Sequence, residues 1–263
     1  MKKELMLAVL LFAGGGSAEF QNREWNIEGL RREAILWIPA ETNNPVSVVF
    51  VFHGHGGTMQ TAVKNFRIHE LWPEAVIVYM QGVPTPGKLT DPDGKKSGWQ
   101  NRSGIHDDRD LKFFDAVFKT LKEEFSSDKN RVYAMGHSNG GAFTYLLWSV
   151  RENLFAALAP SGSLNPEALS GIKPAPVLHI AGRTDPLVKY EWQEWMLKNL
   201  KIINKCTGES EPWDSAGDLT GTMYKSETGT PLITLIHPGG HEFPKEAPEL
   251  IVKFFKQHAK AGH

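Results

Sequence analysis

The sequence predicts an α/β fold: a mostly parallel central sheet with helices on both faces. Three observations carry that expectation. Apolar, β-branched runs at 46–52, 75–80, 131–135, 154–160, 176–181 and 232–236 lack polar alternation, as strands covered on both faces do. Between them lie stretches with helical spacing, the clearest being Leu111, Phe114, Val117, Phe118, Leu121 and Phe125. Strand and helix alternating along one chain is the pattern of parallel strands joined by crossover helices.

Taken in order, the chain opens on Met1-Lys2-Lys3, an apolar run at 5–13 and the small residues Gly16-Ser17-Ala18. Residues 1–18 are therefore expected to form a signal peptide, cleaved after Ala18, so that the protein is secreted to an extracellular or periplasmic space. The apolar run is too short to span a bilayer, and no membrane attachment is expected after cleavage. Residues 19–263 are expected to form a single domain, long enough to bury a large core and to act as a monomer. Net charge is −1 with Lys and Arg scattered, which gives no footing for nucleic acid. Cys206 is the only cysteine, so no intramolecular disulfide forms, and a half-buried bystander is the expected role.

Residues 25–30 and 33–39 read as two strands around a turn at Arg31-Arg32. The strand at 46–52 ends in His53-Gly54-His55-Gly56-Gly57, where glycines let backbone amides turn toward a ligand. No Gly-Lys-Ser/Thr follows, which disfavours a phosphate loop, and His53-x-His55 lacks the third ligand a catalytic metal needs. After the strand at 75–80, a polar loop at 81–106 is long enough to lie over the sheet edge where substrates bind. Within it Trp99 has two readings, stacking on a substrate ring or pinning its own loop, and the second is preferred. Asp91-Pro-Asp-Gly94 hints at calcium but lacks the rest of a binding loop. Asp107-Asp108 is expected to cap the helix that follows.

The strand at 131–135 runs into Gly136-His137-Ser138-Asn139-Gly140, and helical spacing resumes at once. A Gly-x-Ser-x-Gly turn between strand and helix displays its serine hydroxyl above the sheet. Beyond it, Asp185 follows the strand at 176–181. Trp192 and Trp195 on the next helix are expected in the core. The segment 205–221 reads as irregular, with an edge strand near 223–226. His241 stands on a Gly-Gly turn after the last strand, and 248–258 closes as a helix.

Serine, acid and histidine thus fall in that order at strand ends, where parallel sheets bind ligands. Ser138 is the candidate nucleophile. His241 is the candidate base, since imidazole takes and returns a proton near neutrality. Asp185 is the candidate that holds the imidazole tautomer. The backbone amides of His55 and Asn139 are the candidate oxyanion donors, and the side chains of His137 and Trp99 are candidates for contact with substrate. Asp214, Asp218 and His237 are rivals, but none sits as well on a turn after a buried strand.

These segments together, with 155–160 and Gly239-Gly240-His241, resemble the polyhydroxybutyrate depolymerase-like esterases and the related feruloyl and acetylxylan esterases of the first carbohydrate esterase family. The resemblance spans nearly the whole chain after residue 18. It implies an α/β-hydrolase fold, no metal or organic cofactor, and ester hydrolysis through an acyl-enzyme on Ser138, Asp185 and His241. Many members carry a cysteine where this chain has His55, and a Trp after the histidine where this chain has Glu242-Phe243. Without a linker or substrate-binding module, soluble esters such as acyl or feruloyl decorations of plant polysaccharide are expected ahead of a crystalline polyester. The polyester, an acyltransferase and a non-catalytic binding protein stay as alternatives.

Overall fold

The computed structural model describes residues 17–260 apart from 43 and 88, so all but the last two residues of the expected leader lie outside the described residues. Strands β1 (Glu19–Ile27) and β2 (Leu30–Ile38) form an antiparallel hairpin. Its turn is Glu28-Gly29, with φ of 52° and 89°, and not Arg31-Arg32. Two left-handed residues suit the twist of a two-residue hairpin, and Glu-Gly supplies one glycine of that pair. The shift carries Arg32 into β2, where its side chain is wholly buried.

Strand β3 (Val46–Phe52) leads through Thr58, whose side chain caps α1 (Met59–Phe66), to α2 (Ile68–Leu71) and β4 (Val76–Met80). A two-strand ribbon, β5 (Val83–Pro84) with β6 (Ser97–Gly98), then organises the long loop. Helix α3 (Arg109–Glu124), β7 (Ser127–His137), α4 (Asn139–Val150), β8 (Ala157–Ser161), β9 (Val177–Gly182) and α5 (Tyr190–Ile203) follow. The chain ends with β10 (Ser210–Ala216), β11 (Leu219–Tyr224), β12 (Leu232–His237) and α6 (Ala247–Lys256).

Ten of these strands make one sheet in the order β1-β2-β4-β3-β7-β8-β9-β12-β11-β10. The six central strands are parallel, for example Val48 opposite Val132 and Leu232 opposite Val177, and antiparallel strands close both edges. Alternation along β3 separates two cores. Val48, Phe50 and Phe52 pack with α3, α4 and α5, whereas Val49 and Val51 pack with α1, α2 and α6. Strands covered on both faces carry no polar side, which is why they read as continuous apolar runs.

Three further expectations are corrected. The segment 205–221 is not irregular but holds β10 and the start of β11, and β11, where the edge strand was expected, is paired on both sides; β10 is the edge, which pairs on one side only and needs no apolar run. Asp107 and Asp108 do not cap α3 through their side chains. His106, Asp107 and Asp108 are all left-handed, at φ of 52°, 53° and 54°, and the Asp108 carboxylate instead accepts from Gln100 Nε2 and the Gly104 amide. Trp192 and Trp195 are 41% and 46% exposed and lie outside the core, because Gln193, Met196, Leu197 and Leu200 supply the buried face of α5.

Buried Arg32 meets equally buried Asp110 at 2.8 Å, donates to the carbonyls of Arg109 and Gln81, and lies over the Phe113 ring. Asp110 also accepts from the Gln100 amide. This group ties β2, α3 and the long loop together at one point. Asp110→Ala is expected to strand the guanidinium charge in the interior and cost about 3–5 kcal/mol of stability. An unfolding free energy from denaturant titration within 1 kcal/mol of wild type would contradict that.

Candidate active site

Ser138 sits between β7 and α4 at φ 55°, ψ −121°, a conformation sterically disfavoured for a residue with a side chain. Its neighbours explain how the strain persists. A Cβ on Gly136 would lie 2.4 Å from the Gly140 carbonyl oxygen, and one on Gly140 would lie 2.3 Å from that of Phe52. Only glycine fits either position, so β7, the turn and α4 can close on one another. The Ser138 amide donates to the Ser161 carbonyl, and its own carbonyl accepts from Ala142 at the start of the helix.

The other two candidates arrive on neighbouring strands. Asp185 follows β9 and His241 follows β12, and these strands pair directly. Their loops are laced by bonds from the Arg183 amide to the His237 carbonyl and from the Thr184 amide to the Gly239 carbonyl. A Cβ on Gly182 would meet the Gly240 carbonyl oxygen at 2.0 Å, so the close approach also depends on glycine. The outcome is a continuous chain: Ser138 Oγ to His241 Nε2 at 2.8 Å, and His241 Nδ1 to Asp185 Oδ2 at 2.7 Å. The Asp185 side chain is wholly buried. Its Oδ1 accepts from the Leu187 and Val188 amides, and its Oδ2 also faces Gln193 Nε2 at 3.4 Å. Gln193 Oε1 in turn meets His179 Nε2, whose Nδ1 meets the Tyr145 hydroxyl on α4. This buried polar chain runs from the helix behind the serine to the acid.

The glycine loop after β3 runs beside the serine. A Cβ on Gly54 would lie 3.4 Å from Ser138 Cβ. The next residue, His55, turns its ring away to Asp91, whose carboxylate also accepts from the Lys96 amide. Those Asp91 contacts take up the carboxylate that suggested calcium. Asn139 is the first residue of α4, where helix amides lack intrahelical acceptors. Its side chain clamps the Trp99 backbone from both ends, accepting from its amide and donating to its carbonyl. Nothing in the sequence signalled that clamp.

Trp99 and His137 both border the cleft, Trp99 in the loop-pinning role preferred from the sequence. Trp99 is 1% exposed, its ring stacks on Phe143 and donates to the His53 carbonyl, and so it pins its loop. His137 uses both ring nitrogens internally: Nε2 donates to the His241 carbonyl, and Nδ1 pairs with the Ser161 hydroxyl. It steadies the backbone that carries His241. His237 meets Glu242 and Asp214 meets Lys253, so each of these rivals is engaged with a partner outside the Ser138–His241–Asp185 chain. Among the described residues, no three or more His, Cys, Asp and Glu side chains are grouped to hold a metal.

Burial pushes His53 and His179 down to about 4, and the same cause, aided by the neighbouring His241, does so for His137. Above about pH 6.5 these imidazoles are neutral whether the chain is folded or not. As the pH falls from there to about 4, the unfolded chain binds protons that the folded one refuses, and stability is lost. For fully buried His53 and His179 that loss reaches about 3 kcal/mol each at the acid end. A denaturant midpoint unchanged from pH 7 to pH 4.5 would refute it.

The cleft above this chain of residues has a volume of about 990 Å³, bounded by Leu89, Leu164, Leu187 and Trp192 around Ser138 and His241. Its dimensions admit a drug-sized or aromatic acyl group.

No family model matches the chain. It is 26% identical over 239 residues to a probable feruloyl esterase C of Aspergillus oryzae, covering 85% of this chain and 83% of that one. A feruloyl esterase D of Neurospora crassa is 26% identical over 85% of this chain and 78% of its own length. Among solved structures, an acetyl xylan esterase from Aspergillus awamori superposes with a TM-score of 0.68 at 14% identity, covering 92% of this chain and 99% of that one. A fluorophosphonate-binding serine hydrolase of Staphylococcus aureus does so with a TM-score of 0.63 at 13% identity, covering 91% and 99%. The fold is that of the α/β-hydrolases. Among the described residues, no helix is long and apolar enough to cross a membrane.

Proposed function

We propose that this carboxylic ester hydrolase cleaves feruloyl or acetyl esters carried by plant polysaccharide, through an acyl-enzyme on Ser138. The observation that carries this reading is the unbroken hydrogen-bonded chain Ser138–His241–Asp185 opening into an apolar cleft. His241 Nε2 takes the hydroxyl proton as Ser138 Oγ attacks the ester carbonyl. Asp185 faces Nδ1, keeps the proton there, and stabilises the imidazolium that forms. The oxyanion of the tetrahedral intermediate is held by the amides of His55 and Asn139; the Ser138 amide is already committed to Ser161. The imidazolium returns its proton to the leaving alcohol, and water repeats the sequence to release the acid. Export after cleavage at Ala18 completes the reading, and the mass of the mature chain from its host tests it.

A panel of purified-protein rates on methyl ferulate, acetylated xylan, p-nitrophenyl acetate and hydroxybutyrate oligomers tests the substrate class. The expected order puts ferulate or acetylxylan at least tenfold above hydroxybutyrate in kcat/KM, a gap of about 1.4 kcal/mol. The reverse order would make the protein a polyester depolymerase, and silence on every ester would remove the catalytic reading.

A further inference from the structure

We propose that Trp192 and Trp195 form a platform outside the cleft that binds the sugar chain bearing the ester, its occupant being an extended β-linked pyranose chain. The proposal rests on the reading that the substrate is an ester on a polysaccharide. Of the eight tryptophans, these two are the ones with large exposed surface; Trp72, Trp99 and Trp148 are buried. Exposed indoles on a helix whose opposite face already supplies the core have no packing reason to be there. They stand three residues apart on α5, so they are neighbours on one face about one helical turn apart, close to the length of one sugar residue.

Their position ties them to the chemistry. Trp192 lines the cleft, and Trp195 continues the same face outward. The segment from Asp185 to Trp192 is rigid: the Asp185 carboxylate holds the Leu187 and Val188 amides, and Gln193 donates to the Val188 carbonyl at 2.7 Å. A helix start held this way keeps position 192 at a set distance from the acid, so a chain lying across the platform enters the cleft in a set register. Flat indole faces suit the C–H faces of a pyranose, because the π cloud is electron-rich and those hydrogens are weakly positive. The Lys189 ammonium lies over the Trp192 ring, 5.6 Å from its centre, a charged donor on that indole face for the hydroxyls of a sugar.

Xylohexaose, which carries no ester, is the probe, titrated by calorimetry into the full chain, with cellohexaose beside it. Wild type is expected to bind, Trp195→Ala to weaken binding about tenfold, and Trp195→Phe to recover most of it. Thermal melts of each variant control for folding. Turnover of methyl ferulate, acetylated xylan and p-nitrophenyl acetate is measured in parallel, so the two readings separate. Ring-dependent glycan binding without ester turnover supports the platform and sinks the esterase. Turnover with no glycan binding, or with binding equal in wild type and Trp195→Ala, overturns the platform. A dimer in sedimentation that Trp195→Ala dissociates, with no glycan bound, overturns it too by making the face a contact between copies.

Discussion

Ser138→Ala is expected to lower ester turnover by on the order of 10⁶-fold, with KM and the denaturant midpoint nearly unchanged. Stability holds because the disfavoured backbone at position 138 is set by the glycines around it, not by the hydroxyl, and alanine suffers the same strain as serine. What goes is the oxygen 2.8 Å from His241 Nε2, the one atom there placed to form the acyl-enzyme. Residual rate would come from the oxyanion donors and the cleft acting on water. Labelling by a fluorophosphonate probe gives the covalent counterpart: wild type is expected to label on Ser138, and the variant to stay unlabelled. Retention of more than a tenth of the activity would remove Ser138 from the role.

The second large effect is at the acid. Asp185→Asn is expected to cost about 10⁴-fold in turnover while substrate affinity holds. The surroundings of the carboxylate decide how the amide must sit. Leu187 and Val188 both donate backbone amides to Oδ1, so the new side chain has to place its carbonyl oxygen there and its NH₂ toward His241. That NH₂ donates to Nδ1, which forces the imidazole proton onto Nε2, the atom that must accept from Ser138. The base is then present, in place, and in the wrong tautomer. Single-turnover rates on p-nitrophenyl acetate separate this loss from a binding defect; activity within tenfold of wild type would argue that another group orients the histidine.

Much of this architecture was legible because buried parallel strands leave a strong trace. β3, β4 and β12 are built mostly of Val, Ile, Leu and Phe, as strands covered on both faces are. Ser138, Asp185 and His241 were locatable for a related reason: each stands just after such a run, and two of the three are marked by glycines that close backbone contacts require. The features that escaped depend on partners distant in sequence. Arg32 was read as a turn residue, since nothing near it announces Asp110 on α3. The Asn139 clamp joins positions 40 residues apart. The left-handed run at 106–108 contains no glycine to betray it. Trp192 and Trp195 were assigned to the core from composition, although Gln193 takes the inward place because its amide is needed beside Asp185 and His179.

The pairing of the central strands also has a bearing on how the molecule is made. Val48 finds its partner at Val132, and β12 inserts beside β9 only after the β10–β11 hairpin has been synthesised. Loops this long must close before any of these ladders is rewarded, so folding is slow compared with helical proteins of the same size. A ribosome-bound chain that stops short of residue 232 holds the serine and the acid but lacks both the strand that braces the acid loop and the histidine. On the proposed roles of Ser138, Asp185 and His241, chemical competence is therefore acquired in the last stage of assembly, and the nascent protein is expected to be inert toward esters until its final strand is in place.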